Sequence, residues 1–394
     1  MGDAIERALA AATERHRELM PLLERWVRQN SYTSHVQNVN AMADLMVADF
    51  DLPGLQVARH AREHVGDHLS WTTPAWDAEP ARRVVLIGHH DTVFPPGTFE
   101  TWDIEGDVLR GPGVLDMKGG LVVLRTALAA LADAGVLAAM PLGVLSVSEE
   151  ETGSRDSRPL TEEFASGARA ALVFEAGRDR DMIITRRKGS GRVTVTATGR
   201  AAHSANDHAR GRSAIWALAR YIDQVERLTD YERGLLLNVG TIEGGSALNT
   251  VPAHAQCGIS IRFSDNQDGD QLSQELRDIA QTLSAETEVG LEVDVYIARP
   301  ALQRTEASAA LYQTYATCAR AAGLGDTECP QVSGGSDANL ISAIGVPSID
   351  GMGPRGKGFH THNEYIEIPT LAQKTQALVR CLLELAPPRA SETM

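Results

Sequence analysis

Val84-Val85-Leu86-Ile87-Gly88-His89-His90-Asp91-Thr92-Val93 is the stretch from which the rest of the chain is read. Its first four residues are bulky and apolar without alternation, the pattern of a strand covered on both faces of a sheet. Leu142-Gly143-Val144-Leu145-Ser146-Val147 and Ala171-Leu172-Val173-Phe174 repeat the pattern. Between the first two runs, Leu121 to Ala134 is rich in Ala and Leu and stops at Gly135, which reads as a helix with a glycine terminator. Upstream, Ile5, Leu9, Ala12, His16, Leu19, Leu23 and Trp26 recur at three- and four-residue steps, as on an amphipathic helix. Strand-helix-strand alternation predicts a three-layer α/β/α domain.

The texture changes after about Lys188. Arg192 to Thr198 alternates with period two, the mark of a strand with one wet face. A helix over 213–228, strands over 236–242 and 255–263, a helix over 271–283 and a strand over 291–297 follow. Two helices on one antiparallel sheet make an α+β module, so residues 188–300 read as an insertion. The host domain is then split into residues 1–187 and 301–394, with Arg389 to Met394 expected to be a frayed tail.

Composition narrows the function. The 394 residues carry 37 Lys+Arg against 52 Asp+Glu, a net charge of −15, which argues against nucleic-acid backbones as partners. Four scattered cysteines (Cys257, Cys318, Cys329, Cys381) form no Cys-x-x-Cys pair. The opening Met1 to Arg7 is charged and has no apolar signal core, and no apolar run reaches membrane-spanning length. The expectation is a cytoplasmic protein with no membrane or nucleic-acid partner.

The groups able to do chemistry follow the strands, on the sheet edge where open α/β folds bind ligands. The first strand delivers His89, His90 and Asp91, the second Glu149-Glu150-Glu151, the third Glu175. A Gly-rich loop, Arg110 to Gly120, contains Asp116 and enters a helix; His360 and His362 lie near the C-terminus, before Glu364. If His89 to Asp91 is extended, His89 and Asp91 point the same way. Buried together, carboxylates repel one another and suffer desolvation, and a pair of cations about 3.5–4 Å apart around a bridging carboxylate is the simplest remedy. His89, Asp116, Glu151, Glu175 and His360 are the candidate ligands. Gly111-Pro112-Gly113 lacks dinucleotide or P-loop spacing, and no Gly-x-Ser-x-Gly marks a serine nucleophile.

At these residues the chain resembles the co-catalytic zinc metallopeptidase family of glutamate carboxypeptidase, aminoacylase, acetylornithine deacetylase and succinyl-diaminopimelate desuccinylase. The likeness runs through Gly88 to Val93, Gly111 to Gly120, Glu149 to Ser154, Phe174-Glu175, Gly199 to Ser204, Asn249 to Pro252, Gly334 to Ala338 and His360-x-x-x-Glu364. Phe359 and Arg299-Pro300-Ala301 lean towards the glutamate carboxypeptidase branch.

The resemblance implies two zinc ions, with cobalt or manganese as alternatives. His89 and Glu175 would hold one and Glu151 and His360 the other, with Asp116 bridging. Asp91 would orient His89, and Glu150 would be the general base for the attacking water. The insertion would be a lid and dimerisation domain. Its His203 would reach a neighbouring subunit's site to stabilise the oxyanion, its Asn249 would contact substrate, and its Arg262 would grip the substrate carboxylate.

The expected activity is cleavage of the amide bond of an N-acyl amino acid or small peptide by a homodimer. A two-metal phosphoester hydrolase and a non-catalytic binding protein on the same fold are the alternatives. Three points stay open in the sequence. His362 rivals His360, the glutamate run allows a one-residue shift of base and ligand, and Arg178, Arg180, Arg186, Arg187 and Lys188 form either a solvated turn or an attractor for an anionic substrate.

Overall fold

The computed structural model describes residues 2–388. The tail from Arg389 to Met394 lies outside the described residues. The chain divides into two compact units: residues 1–186 with 302–331 and 336–394, and residues 187–301 with 332–335.

In the first unit a six-stranded sheet runs in the order Gln56–His60, His68–Thr72, Leu142–Val147, Val84–His89, Ala170–Val173, Ser348–Asp350. The last four are mutually parallel, and the first two join antiparallel. The absence of alternation in Val84 to Ile87 has the expected consequence. Val84 and Leu86 enter the cluster built with the helices Gly2–Arg28, Lys118–Asp133 and Pro369–Leu385, while Val85 and Ile87 are equally buried on the other side. The first helix contributes Ala8, Ala12, Leu19, Leu23 and Trp26, spaced three, four or seven residues apart along one face. Burying a Leu-sized side chain is worth about 1.5–3 kcal/mol relative to exposure.

The sequence reading passed over Gln56–His60 and His68–Thr72. The first is an edge strand whose residues are mostly exposed, so it carries no apolar period. A smaller sheet, in the order Gly356–Lys357, Tyr365–Glu367, Val108–Arg110, Asp103–Glu105, makes a hairpin of residues 356–367 and sets it beside the Gly-rich loop.

The second unit is a four-stranded antiparallel sheet in the order Leu236–Gly244, His254–Phe263, Gly189–Thr198, Gly290–Arg299. The helices Ala214–Glu226 and Asn266–Thr287 cover one face of it. Alternation supplies that face: Val193, Val195 and Ala197 are buried with Ile259, Ile261 and Phe263. Ser213 and Asp265 cap the two helices, and the Tyr221 hydroxyl donates to Leu276 O at 3.2 Å to tie them together. The unit also takes in 332–335, which the expected range 188–300 omits. Lys188 N donates to Val332 O at 2.8 Å and Arg187 Nη1 to Gly334 O at 2.9 Å, long-range bonds that no local pattern announces. No helix among the described residues is long and apolar enough to cross a membrane.

Candidate metal centre

His89 is the last residue of its strand and is buried. Its Nδ1 lies 3.1 Å from Asp91 O and 3.3 Å from Asp91 Oδ1, so Nδ1–H donates to Asp91 and Nε2 faces the cluster. Nε2 is 3.2 Å from Asp116 Oδ1 and 3.8 Å from Glu175 Oε1. On the far side of Asp116, His360 Nε2 is 3.2 Å from Oδ2 and 3.1 Å from Glu151 Oε2. Each oxygen of Asp116 therefore faces a different histidine. Ligand atoms of His89, Asp116 and Glu151 all lie within 4.8 Å of one another, and so do those of His89, Glu150 and Glu175. The seven residues His89, Asp91, Asp116, Glu150, Glu151, Glu175 and His360 are thus brought together within one unit. His362 is not among them: its ring stacks on Phe99, 5.2 Å between centroids.

The electrostatics of the protein alone are those of a site short of positive charge. Burial and the Asp116 carboxylate push Glu151 up to about 6 and hold Glu175 well above the usual carboxylate range. Burial works against protonation of His89, but its hydrogen bonds to Asp116 and Asp91 outweigh it and hold the imidazole well above its ordinary value. Hydrogen bonds to Asp116 and Glu151 raise His360 to about 10. Desolvation of Asp116 is outweighed by its bonds to His360 and His89, so its carboxyl is lowered. Glu151 Oε1 is buried with no protein partner, an orphan that costs about 1–3 kcal/mol unless something else meets it. Oxygen and imidazole donors of this number and spacing fit a pair of zinc-type cations.

The surrounding loops fix the donors, largely through bonds that sequence reading missed. Asp91 orients His89 and also accepts the backbone N–H of Glu150 at 3.2 Å and Glu151 at 3.3 Å, with Thr33 Oγ1 donating at 2.7 Å. Of the glutamate run, Glu149 turns away: its carboxylate accepts Arg155 N, Ser157 N and Ser157 Oγ at 2.7–3.0 Å and closes the loop. That leaves Glu150 and Glu151 for the cluster. Lys118 is buried, with Nζ donating to Trp26 O at 2.9 Å and Gln29 O at 2.8 Å; burial lowers it to about 7. It anchors the turn after Asp116 to the end of the first helix. Within the Gly334 to Ala338 motif, Ser336 caps the Asp337–Ala343 helix and donates to Asp350 at 2.6 Å.

The other candidate residues lie in the second unit. His203 pairs with Thr250 across a two-residue ladder, and Ser204 N donates to Asn249 O at 2.9 Å, which makes His203 and Asn249 neighbours. His203 Nδ1 accepts the N–H of Ala205 and Asn206, each at 3.2 Å, leaving Nε2 outward. Arg262 is on the strand His254–Phe263, opposite Ser190 and Leu236. The Arg178 guanidinium lies 5.0 Å from the Phe359 ring centroid, and Arg187 and Lys188 are spent on backbone carbonyls.

The family described as Peptidase family M20/M25/M40 matches residues 85–384. Carboxypeptidase G2 of Pseudomonas sp. (strain RS-16) is 28% identical over 385 residues, 95% of this chain and 91% of that protein. Succinyl-diaminopimelate desuccinylase of Cereibacter sphaeroides (strain KD131) is 29% identical over 317 residues, 74% of this chain and 81% of that one. Among solved structures, the aminopeptidase PepT of Bacillus cereus superposes with a TM-score of 0.77 at 21% identity, over 94% of this chain and 98% of that one.

Proposed function

The chain belongs to peptidase family M20/M25/M40, and from that premise we propose that it cleaves the amide bond of an N-acyl amino acid or short peptide with a free carboxylate, using two zinc ions. The observation that carries the reading is Asp116, whose two oxygens are shared between His89 and His360 at 3.2 Å each. His89, Glu175 and one oxygen of Asp116 would hold one cation; His360, Glu151 and the other oxygen the second. When bound, such a pair supplies a Lewis acid for the scissile carbonyl and lowers the pKa of water towards neutrality.

The chain's own groups do the rest. Glu150, tethered through its backbone to Asp91, is the base that takes a proton from the attacking water and returns it to the leaving nitrogen. Asp91 keeps His89 in the tautomer that turns Nε2 inward. In the second unit Arg262 would grip the substrate carboxylate, His203 would donate from Nε2 to the developing oxyanion and Asn249 would contact substrate. The homology with carboxypeptidase G2 supports a carboxylate-bearing substrate, and a peptidase family places the chemistry at an amide rather than a phosphoester.

We also propose a homodimer in the cytoplasm. The Leu236–Gly244 strand is a sheet edge with Ile242 60% exposed, and Trp216 on the adjacent helix is 55% exposed, an apolar face suited to a second copy. The decisive experiment is metal analysis coupled to a panel of N-acyl amino acids, dipeptides and phosphoesters. About two zinc ions per chain and turnover of amides alone are expected; amide turnover by metal-free protein would sink the reading.

A further inference from the structure

The two halves of the metal centre are built differently. His89 and Glu175 sit at the ends of neighbouring parallel strands, with Phe174 N donating to Ile87 O at 2.9 Å, so the sheet itself sets their separation. In the other half only Glu151 follows a strand of that sheet, four residues past the end of Leu142–Val147. His360 lies in the tip of the hairpin between Gly356–Lys357 and Tyr365–Glu367, at φ +58° with its side chain 55% exposed. Asp116 is carried by the irregular loop between Arg110 and Lys118.

One fully buried carboxylate joins these two loops. Glu364 Oε1 accepts Leu115 N at 2.8 Å and Asp116 N at 3.1 Å, and Oε2 accepts Gly113 N at 3.2 Å. Its backbone takes part as well: Gly111 N donates to Glu364 O at 3.3 Å, and Glu364 N donates to Thr361 O at 3.1 Å across the His360 turn. We propose that Glu364 is the positioning residue for the cation site formed by His360, Glu151 and Asp116, and that it leaves the His89–Glu175 side to the sheet. This rests on the two-cation reading above and adds to it an asymmetry in how the cations are held.

Three converging N–H groups need an acceptor on each oxygen. A Gln offers one acceptor oxygen, and its amide nitrogen would point a donor at a donor. E364Q should therefore loosen the loop that aims Asp116 and free the His360 turn, with little change in volume. Loss of a partner that orients ligands typically weakens metal binding about 10–100-fold.

The test titrates metal-free wild type, E364Q and H360A with zinc by calorimetry, alongside kcat and KM at fixed zinc. Wild type should bind two ions. E364Q should bind the ion on the His360 side about 10–100-fold more weakly, at the site that H360A also disrupts, with a smaller loss on the His89 side through the shared Asp116, and with kcat restored by excess zinc and KM unchanged. Should E364Q fail to fold, E364D serves, since it keeps the charge but falls one methylene short of the loop. Wild-type affinity for both ions in the variant, or equal loss of both, overturns the role of Glu364 alone. Wild type binding fewer than two ions overturns the two-cation reading and this inference with it.

Discussion

Gly353→Ala offers a measured push on a single ligand. Gly353 N donates to Glu175 O at 2.8 Å, locking the 351–354 segment against the residue at the end of the Ala170–Val173 strand. A Cβ built on Gly353 would stand 2.8 Å from Glu175 O and 2.9 Å from Phe174 O, where ordinary contact begins at 3.4 Å. About 0.6 Å must be made up, and backbone atoms cannot rotate aside as a side-chain end would. Gly353 is not among the residues with positive φ, so the added methyl meets no other conformational penalty. Overpacking of this kind costs about 1–3 kcal/mol. Reduced freedom of the unfolded chain returns about 0.4–1 kcal/mol. The metal-free variant should lose up to roughly 2.6 kcal/mol, a fall in Tm of up to about 5–10 °C.

The larger effect is expected on the metal. Ligand positions matter to within about 0.2 Å, so a displacement of about 0.6 Å at Glu175 should weaken zinc binding some 30-fold, within the range for disturbed ligand support. At a zinc concentration about 100 times the wild-type Kd, binding stabilises wild type by about 2.7 kcal/mol; a 30-fold weaker site gains less than about 1 kcal/mol. Thermal unfolding with and without zinc reads both quantities. A variant that loses metal-free stability yet keeps the full zinc-induced rise in Tm would refute the claim that Gly353 sets Glu175 for the metal.

The remaining expectations concern the same centre and the second unit. Glu150→Gln should lower kcat by about 10²–10⁴ while two zinc ions are retained; loss of metal in that variant would make Glu150 a ligand rather than a base. Asp91→Asn should cost about 10–100-fold in zinc affinity, because it disturbs His89 and the backbone of Glu150 and Glu151 at once; an Asn that binds zinc normally would leave Asp91 no orienting role. In the metal-free protein hydrogen bonds to carboxylates hold His89 well above its ordinary pKa and His360 near 10, which favours a proton on each imidazole. Zinc takes neutral imidazole, so loading should release roughly one to two protons and weaken as pH falls; calorimetric heats independent of the buffer's ionisation enthalpy would contradict this. Ile242→Glu should abolish the proposed dimer in sedimentation, and an unchanged mass would remove that strand edge from the interface.

What was legible in the sequence was whatever local pattern dictates. Uninterrupted apolar runs marked the parallel strands, alternation marked the second sheet, and titratable residues immediately after the runs marked the edge where His89, Glu150, Glu151 and Glu175 gather. The helix over 271–283 was recognised but shortened; it spans Asn266–Thr287, because its first turn is set by the Asp265 cap rather than by apolar spacing. What escaped were bonds between residues far apart in the chain. Thr33 supports Asp91 across 58 positions and Lys118 holds the carbonyls of Trp26 and Gln29 from 92 and 89 away. Glu364 was visible as part of a spacing with His360, yet its cradle of Gly113, Leu115 and Asp116 lies about 250 residues upstream. No periodicity encodes such pairs. The choice between His360 and His362 likewise turns on which ring finds carboxylates and which finds Phe99.

The same separation explains why the site and the stability of its unit are linked. Asp116, Glu151 and Glu175 are largely buried around two histidines, and Glu151 Oε1 meets no protein donor. The protein alone answers this excess of acceptors by raising the proton affinity of Glu151, Glu175, His89 and His360. Protons bound there relieve repulsion only in part, because each sits between groups already competing for it. A divalent cation replaces them with a charge that every ligand can share. On the two-cation reading the binding energy would offset this electrostatic strain, and the proposed support from Asp91, Gly353 and Glu364 would matter for that reason. Each holds a donor in a place it would otherwise leave, and the cation profits from donors that cannot relax away from one another.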